Sequence, residues 1–198
     1  MNTEVNSKFL TLIQNKLSSQ IISSELNLGD IVVQIKSANL GDFLRLLKID
    51  SELKFNMCLS ITATDWMDLK EERFEMVYHL LSTTNNCRVR VKAFVSESNP
   101  EVESAVSLWS GANFMEREVF DMYGIKFRNH PDLRRILMYD EFVGHPLRKD
   151  YPLQAKQPRV ALRYPEVANS ARDMIRPDLV KIGRRFSNPQ EKINGAGK

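Results

Sequence analysis

The sequence predicts an α+β fold, in which an antiparallel sheet packs against helices in two layers and an extended, irregular C-terminal arm follows. Apolar residues recur at helical spacing in two stretches near the N-terminus, and β-rich stretches occupy residues 58–95. Beyond Gly124 prolines recur and the periodicity ends. We therefore expect an α+β domain over residues 1–123 and the arm over residues 124–198.

Two apolar stripes predict helices within the first fifty residues. Each stripe repeats at three- or four-residue spacing, which places its members on one face of a helix. Asn39 precedes the second stripe and is available as its N-cap. The stripes are Phe9, Ile13 and Leu17 in the first helix and Leu40, Phe43, Leu44 and Leu47 in the second.

Strands are predicted where β-branched residues cluster or alternate. The runs SQIISSEL and IVVQI flank the turn Leu28-Gly29-Asp30, which is a hairpin pattern. CLSITATDW, RFEMVYHLLST and CRVRVKAFV then predict an antiparallel meander, with Asn85-Asn86 between the last two strands. We expect the apolar side of the third strand to lie under the helices and its basic side to meet solvent or a partner. The apolar side holds Cys87, Val89, Val91, Ala93 and Val95, and the basic side holds Arg88, Arg90 and Lys92.

Two more helices are predicted before the arm. EVESAVSLW, which follows Asn99-Pro100, suggests a short one. In the next, Asn113 and Glu116 have the spacing of a capping box, and Gly124 ends the helix. Arg117 and Asp121 are spaced as an i,i+4 ion pair. The buried face of this helix is predicted to carry Met115, Val119 and Met122.

Composition argues against several classes of protein. The 198 residues are 42% apolar and 27% charged, which suits one folded domain, and no apolar run approaches the about 18 residues that a membrane span needs. The first twenty residues lack the pattern of a signal peptide, so neither secretion nor organelle import is expected. The eight glycines form neither GxGxxG nor GxxxxGK[ST], which argues against nucleotide binding.

The two cysteines do not suggest a metal or redox centre. Cys58 and Cys87 lie far apart and form no CxxC motif. Each occupies an alternating position in a predicted strand, so both are predicted to be small, buried apolar side chains without a disulfide.

The net charge of +3 is unevenly distributed, because the basic excess lies in the C-terminal half. Residues 148–198 combine basic side chains with prolines, which predicts an extended basic arm. Phosphate-backbone binding by this arm is an alternative function, since KIGRRF interleaves charge with an aromatic residue. The arm also contains Glu166, Asp173 and Asp178 and no RNA-binding aromatic pair, so we expect no nucleic-acid partner.

The histidines are weighed as metal ligands. His130 and His145 are fifteen positions apart, with no third nitrogen or thiolate ligand nearby. Both precede proline, so we expect them to fix turns by bonding to the backbone. His79 is predicted to be a packed or cross-strand residue.

The acids of residues 116–150 are candidates for acid–base chemistry, but each has an arginine or lysine within a few positions. Such pairing keeps carboxylates ionised, so we predict structural or interface ion pairs that pin an irregular segment. We assign no catalytic, cofactor-binding or metal-binding residue and interpret the chain as a non-catalytic interaction protein. The acids are Glu116, Glu118, Asp121, Asp132 and Asp150, and the bases are Arg117, Arg134, Arg135, Arg148 and Lys149.

Residues 116–153, called the signature segment below, resemble the signature of a known family. The family is the 30 kDa subunit of the respiratory NADH:quinone oxidoreductase, complex I. The likeness covers about residues 58–153 and includes the strand RFEMVYHLLS, whereas the sequence after Leu153 lacks the aromatic-rich ending of many members. The matching motifs are ERE at 116–118, DMYGI at 121–125, HPDLRRIL at 130–137 and GHPLRKDYPL at 144–153.

The resemblance implies a subunit of the hydrophilic arm, which lies against the large subunit that helps to form the quinone cavity. It implies no cofactor in this chain, with FMN and iron–sulfur clusters in partner subunits, and peripheral attachment at the cytoplasmic side of a bacterial inner membrane. The matrix side of the mitochondrial inner membrane is the alternative. The complex passes electrons from NADH to quinone and pumps protons. Related complexes take electrons from ferredoxin, deazaflavin or formate, so the electron donor stays open.

Overall fold

The computed structural model describes residues 3–154 and 156–158, which belong to one compact unit. The predicted α+β class is confirmed. Residues 159–198 of the predicted arm lie outside the described residues. In chain order the elements are α1 (Thr3–Leu17), β1 (Ile21–Asn27), β2 (Asp30–Lys36), α2 (Leu40–Ile49), β3 (Met57–Asp65), β4 (Phe74–Ser82), β5 (Cys87–Val95), β6 (Glu101–Glu103), α3 (Ala112–Tyr123) and β7 (Lys126–Arg128).

Five strands form one sheet in the order β1-β2-β5-β4-β3. The predicted hairpin β1–β2 and meander β3–β4–β5 are antiparallel, as expected. β2 and β5 instead run parallel, with Ile31 opposite Val89 and Ile35 opposite Ala93. The expectation of a wholly antiparallel sheet is corrected to a mixed sheet, because the long crossover through α2, β3 and β4 returns the chain in the same direction.

The core lies between one face of the sheet and the helices. α1 packs against β1, β2 and β5, and α3 packs against β3. The predicted stripe of α2 is fully buried in the same cluster, and each such side chain contributes about 1.5–3 kcal/mol relative to exposure. Strand residues on this face that are at most 1% exposed include Ile31, Val33, Ile35, Met76, Tyr78, Leu80, Val89 and Val91.

The other sheet face carries the basic side of β5, as predicted. Arg88 is exposed, and Arg90 and Lys92 are half-buried. The side chain of Glu75 on β4 lies 3.3 Å from the ammonium of Lys92, so cross-strand charge pairs cover part of this face.

The β1–β2 turn ties α1 to the sheet. Leu28 and Gly29 both have positive φ, at 50° and 90°, as the central pair of a tight hairpin turn requires. Asn6 of α1 donates its side-chain N–H to the carbonyl of Gly29 at 2.6 Å and accepts from the thiol of Cys87 at 3.3 Å. One buried amide therefore joins the helix, the hairpin and β5.

The prediction of a helix over EVESAVSLW is wrong. Glu101–Glu103 forms β6, which pairs in parallel with β7 and places Val102 opposite Phe127. A single turn closed on the carbonyl of Ala105 follows it. Pairing with β7 fixes these residues as a strand despite their local helix preference.

The predicted starts of two helices need correction, and one predicted end is confirmed. α3 begins at Ala112 after Gly111, so Asn113 is not its N-cap and no capping box forms. Asn39 does precede α2, but its side chain makes no capping hydrogen bond. Gly124 ends α3 in the left-handed region with φ at 75°, as predicted.

Residues 129–154 and 156–158, the described part of the chain after β7, contain neither helix nor strand. Their backbone groups therefore need partners other than a regular ladder. Among the described residues, no helix is long and apolar enough to span a bilayer.

Candidate functional site

Asp121 on α3 holds the middle of the signature segment. Its carboxylate is fully buried, and one oxygen accepts three backbone N–H groups, from Ile136 at 3.1 Å and from Leu137 and Met138 at 2.8 Å. Burial alone would raise the pKa of Asp121, but these donors and the Arg135 guanidinium hold it below its usual value. An ionised carboxylate thus provides the acceptor for the backbone N–H groups of residues 136–138, which no helix or strand hydrogen bond satisfies.

Arg135 connects Asp121 with the next loop. Its guanidinium donates to the second carboxylate oxygen of Asp121 at 2.6 Å. It also donates to the carbonyls of Phe142 and Gly144 at 3.0 and 3.1 Å. The predicted structural pairing is confirmed here, although the partner of Asp121 is Arg135 and not Arg117.

The predicted Arg117–Asp121 pair does not form. Arg117 instead donates to the carbonyls of Arg134 and Arg135 at 3.2 and 3.3 Å. Arg134 points outward, with its side chain 71% exposed, and pairs with Asp132 at 2.9 Å. The two adjacent arginines 134 and 135 therefore have different roles, one at the surface and one beneath the loop.

A second ion-pair network fixes the end of the signature segment. Arg73 makes two hydrogen bonds to the buried carboxylate of Asp65, at 3.0 and 2.9 Å, and two to Asp150, at 2.7 and 3.4 Å. It also pairs with Glu97, while the N–H of Lys149 donates to Asp65 at 2.8 Å. These pairs raise the pKa of Arg73 and lower the pKa of Asp150.

Sequence reasoning missed Arg73 and Asp65 and expected Asp150 to pair with its neighbours in sequence. Arg73 and Asp150 are 77 positions apart, and spacing alone does not bring them together. A signal was nevertheless present, because Asp65 and Arg73 stand at facing ends of two predicted antiparallel strands.

Glu116 corrects the expectation that every acid in the segment is paired with a base. Its fully buried carboxylate accepts from the Ser104 hydroxyl at 2.7 Å and from the N–H of Ala105 at 2.6 Å. Among the residues that the structure describes, the one side chain that could pair with it as a cation is His130, at 4.0 Å. Burial raises the pKa of Glu116 to about 7, and the two hydrogen bonds oppose this only in part.

The two candidate histidines bond to the backbone, as predicted. His145 contacts the carbonyl of Asp121 at 2.9 Å through Nδ1, and burial lowers its pKa. His130 accepts the N–H of Asp132 at 3.0 Å and contacts the carbonyl of Asn113 at 3.3 Å. No group of three side chains in the described residues has the make-up of a metal site.

The remaining predicted residues have modest roles. Arg148 donates to the carbonyl of Tyr123, and Glu118 is exposed on α3. Cys87 is buried and Cys58 is half-buried, and burial raises the pKa of the Cys58 thiol to about 12 and that of Cys87 to about 11. Both thiols are therefore protonated at neutral pH.

The signature segment exposes six large apolar side chains between its polar ones. The six exposed side chains named below are called the docking surface, and Val143 and Leu153 among them are 66% and 101% exposed. They follow one another along backbone that Asp121, Arg135 and Arg73 hold from beneath. The members are Ile136, Leu137, Tyr139, Val143, Leu147 and Leu153.

The fold and this surface define a class of protein, an α+β scaffold chain in which buried ion pairs hold an irregular segment with exposed apolar side chains in a fixed shape. The family model of the respiratory-chain NADH dehydrogenase 30 Kd subunit matches residues 33–157. The chain belongs to this family, and it is a structural subunit of the hydrophilic arm of NADH:quinone oxidoreductase, complex I.

Relatives at the sequence level support the assignment. The corresponding subunit of NADH-quinone oxidoreductase from Geobacter metallireducens is 44% identical over 142 residues, which is 72% of this chain and 86% of that protein. The one from Roseiflexus sp. strain RS-1 is 44% identical over 152 residues, covering 77% of this chain and 87% of the relative.

Solved structures have the same fold. The trypsin-resistant fragment of Nqo5 superposes with a TM-score of 0.55 at 30% identity and covers 62% of this chain and 96% of the fragment. A chain of the membrane-bound sulfane sulfur reductase, an archaeal respiratory membrane complex, superposes with a TM-score of 0.64 over 75% of this chain and 86% of its own length. At 23% identity the second match shows the fold alone.

Proposed function

We propose that this chain is a scaffold without an active site of its own, which docks through its signature segment onto the large subunit that helps to form the quinone cavity. The observation that carries the proposal is the docking surface. Exposed apolar side chains on backbone held by buried ion pairs are arranged for burial against another chain, since leaving them in water gains nothing.

We propose that the partner subunits hold the cofactors and that this chain has a structural role, which follows from the chemistry of the signature segment. Its buried acids, Glu116 and Asp121, accept hydrogen bonds from backbone N–H groups, a serine hydroxyl or an arginine, so they are occupied by structural contacts. We propose that FMN and the iron–sulfur clusters belong to partner subunits, that the donor is NADH, and that the chain attaches to the membrane peripherally through the complex. The cytoplasmic side of a bacterial inner membrane is the proposed location.

The test is purification from native membranes in mild detergent through a tag at Asn2, with mass spectrometry of the co-eluting chains and an NADH-to-quinone assay. We expect a large assembly that contains flavin and iron–sulfur clusters and has this activity. Recovery of the chain alone, or with nucleic acid, would contradict the proposal.

Two matched variants locate the contact. Leu137→Asp with Val143→Asp adds two charges to the docking surface and is expected to lower the yield of assembled complex by at least about tenfold. Leu28→Asp with Leu69→Asp adds the same charges at two exposed leucines elsewhere and should leave the yield unchanged. Equal yields from both double variants would place the contact elsewhere.

A further inference from the structure

A cleft of about 300 Å³ opens where β2, β3, β4 and β5 meet, and the signature segment takes no part in it. Its polar lining consists of Ser60, His79, Arg88, Arg90 and Asp30. The pairing of β3 with β4 shifts register between Cys58 and Ser60, which is the irregularity next to the cleft. Neither the docking surface nor the ion pairs beneath it account for two arginines in one cleft.

The hydrogen bonds within the cleft form a chain from Arg90 through His79 to Ser60. Arg90 donates its Nε–H to Nε2 of His79 at 2.9 Å, so Nε2 is an acceptor and the ring proton lies on Nδ1. Nδ1 lies 2.8 Å from the hydroxyl oxygen of Ser60 and donates to it. The Ser60 hydroxyl hydrogen is then available to donate into the cleft. Burial and the adjacent guanidinium lower the pKa of His79, in agreement with a neutral ring.

The charged groups of the cleft are not neutralised by one another. Among the described residues, neither Arg88 nor Arg90 forms an ion pair, although Asp30 lines the same cleft. Two guanidinium groups and one carboxylate leave one net positive charge. The available donors are therefore two arginines and a serine hydroxyl, around a site suited to a single negative charge.

We propose that this cleft binds a carboxylate side chain, Asp or Glu, of another subunit of the complex, held by Arg88, Arg90 and the Ser60 hydroxyl. A carboxylate matches the one net charge and the planar fork of an arginine. A phosphate dianion would leave excess negative charge beside Asp30. The proposal rests on the chain being a subunit of the complex, and it adds a second contact that is independent of the docking surface.

The test uses the assembled complex and a zero-length carbodiimide, which joins a carboxylate to an amine that contacts it. Arg88→Lys places an amine in the cleft, and we expect a cross-linked peptide between position 88 and an Asp or Glu of another subunit. Arg45→Lys is the matched control, because Arg45 is exposed on α2 and lies outside the cleft. No cross-link at position 88, or an equal one at position 45, would overturn the proposal.

A second variant distinguishes a carboxylate side chain from a lipid phosphate as the occupant of the cleft. Arg90→Gln removes the cation that orients His79 and is expected to raise the fraction of chain released by high salt about tenfold, with Arg45→Gln unchanged. If Arg90→Gln instead releases a bound phospholipid and no protein cross-link is found, the occupant is a lipid phosphate and the proposal fails. Because assembly itself is scored in the same samples, a complex that forms without the cross-link contradicts only this inference.

Discussion

At the scale of single residues, the signature segment depends on a few buried charges with several partners each. Asp121 accepts from three backbone N–H groups and one guanidinium, and Arg73 contacts three carboxylates. Removing one member of such a set leaves a buried charge or several backbone donors unpaired, which costs more than the pair itself contributes. Adjacent residues of the same type can therefore differ sharply in their effect.

Arg135→Ala and Arg134→Ala test this difference. We expect Arg135→Ala to lower the free energy of unfolding by about 3–5 kcal/mol, because it leaves the buried carboxylate of Asp121 without its cation. Arg134→Ala should change it by less than about 1 kcal/mol, since its ion pair is exposed. Urea denaturation of the full chain measures both values. Equal effects would show that burial of the pair is not the cause.

Glu116→Gln has an effect that depends on pH. The pKa of Glu116 is raised from 4.5 to about 7 in the folded chain, so its contribution is fully present below pH 4.5 and is lost as pH rises through 7. The wild-type chain should lose about 3 kcal/mol over this interval from this group. Glutamine is uncharged: its carbonyl oxygen accepts the N–H of Ala105, and its amide N–H donates to the Ser104 oxygen, so the second hydrogen bond is kept with its direction reversed. We expect a flatter stability profile and a more stable variant at pH 8, measured by denaturation at several pH values.

The control for this prediction is Glu118→Gln, because Glu118 is exposed on the same helix. Its stability profile should follow that of the wild type between pH 4.5 and 8. Parallel profiles for Glu116→Gln and the wild type would mean that Glu116 does not carry the pH dependence.

At the scale of elements, the sequence predicts what local pattern determines. β3, β4 and β5 were located because β-branched and aromatic residues are frequent in them or alternate with polar ones, and α2 because its apolar residues form one stripe at helical spacing. β6 was missed, since three residues are too few to show a strand period and two of them are glutamates, which favour helices. The parallel pairing of β2 with β5 was missed as well, because local pattern does not state which strands become neighbours.

The candidate site was also predicted in part from the sequence. The segment, its pinning by ion pairs and the role of both histidines follow from residue types and their closeness in sequence. The ion-pair partners could not be predicted in this way, because Arg135 and Asp121 are 14 positions apart in the sequence and Arg73 and Asp150 are 77 positions apart. Contacts over such separations depend on the completed sheet.

Gly124 is the residue through which α3 and the signature segment are fitted together. A Cβ at this position would lie within 2.7 Å of the His145 imidazole and the Arg148 guanidinium, in addition to the strain of its positive φ. We expect Gly124→Ala to cost about 2 kcal/mol. Gly111→Ala, at a φ of −63° with open space around the new methyl group, should cost less than about 1 kcal/mol. Thermal unfolding of both variants measures these two losses of stability, and losses of similar size would contradict the steric explanation.

At the scale of the whole molecule, Arg73 joins two regions that are distant in the chain. It binds the end of β3 through Asp65 and the end of the signature segment through Asp150. Stability is rarely uniform across a fold, and a segment without ladder hydrogen bonds opens first when its ion pairs are removed.

Arg73→Gln tests this connection. We expect faster amide exchange in residues 145–153 and unchanged exchange in α1 and the β1–β2 hairpin, measured by mass spectrometry after deuterium labelling. Arg45→Gln removes an exposed arginine and should change neither region. Uniformly faster exchange throughout the variant would mean that Arg73 supports the whole fold and not this segment in particular.

The position of β5 at the centre of the sheet has a consequence for the newborn chain. β5 lies between β2 and β4, yet it is the last of the five strands to leave the ribosome. Synthesis from Lys36 to Cys87 takes roughly 3–10 s, during which β2 presents an open edge with Ile31, Val33 and Ile35 uncovered by β5. An apolar open edge invites pairing with other chains. The chain is therefore most open to pairing with other chains in that interval, until β5 covers the edge of β2.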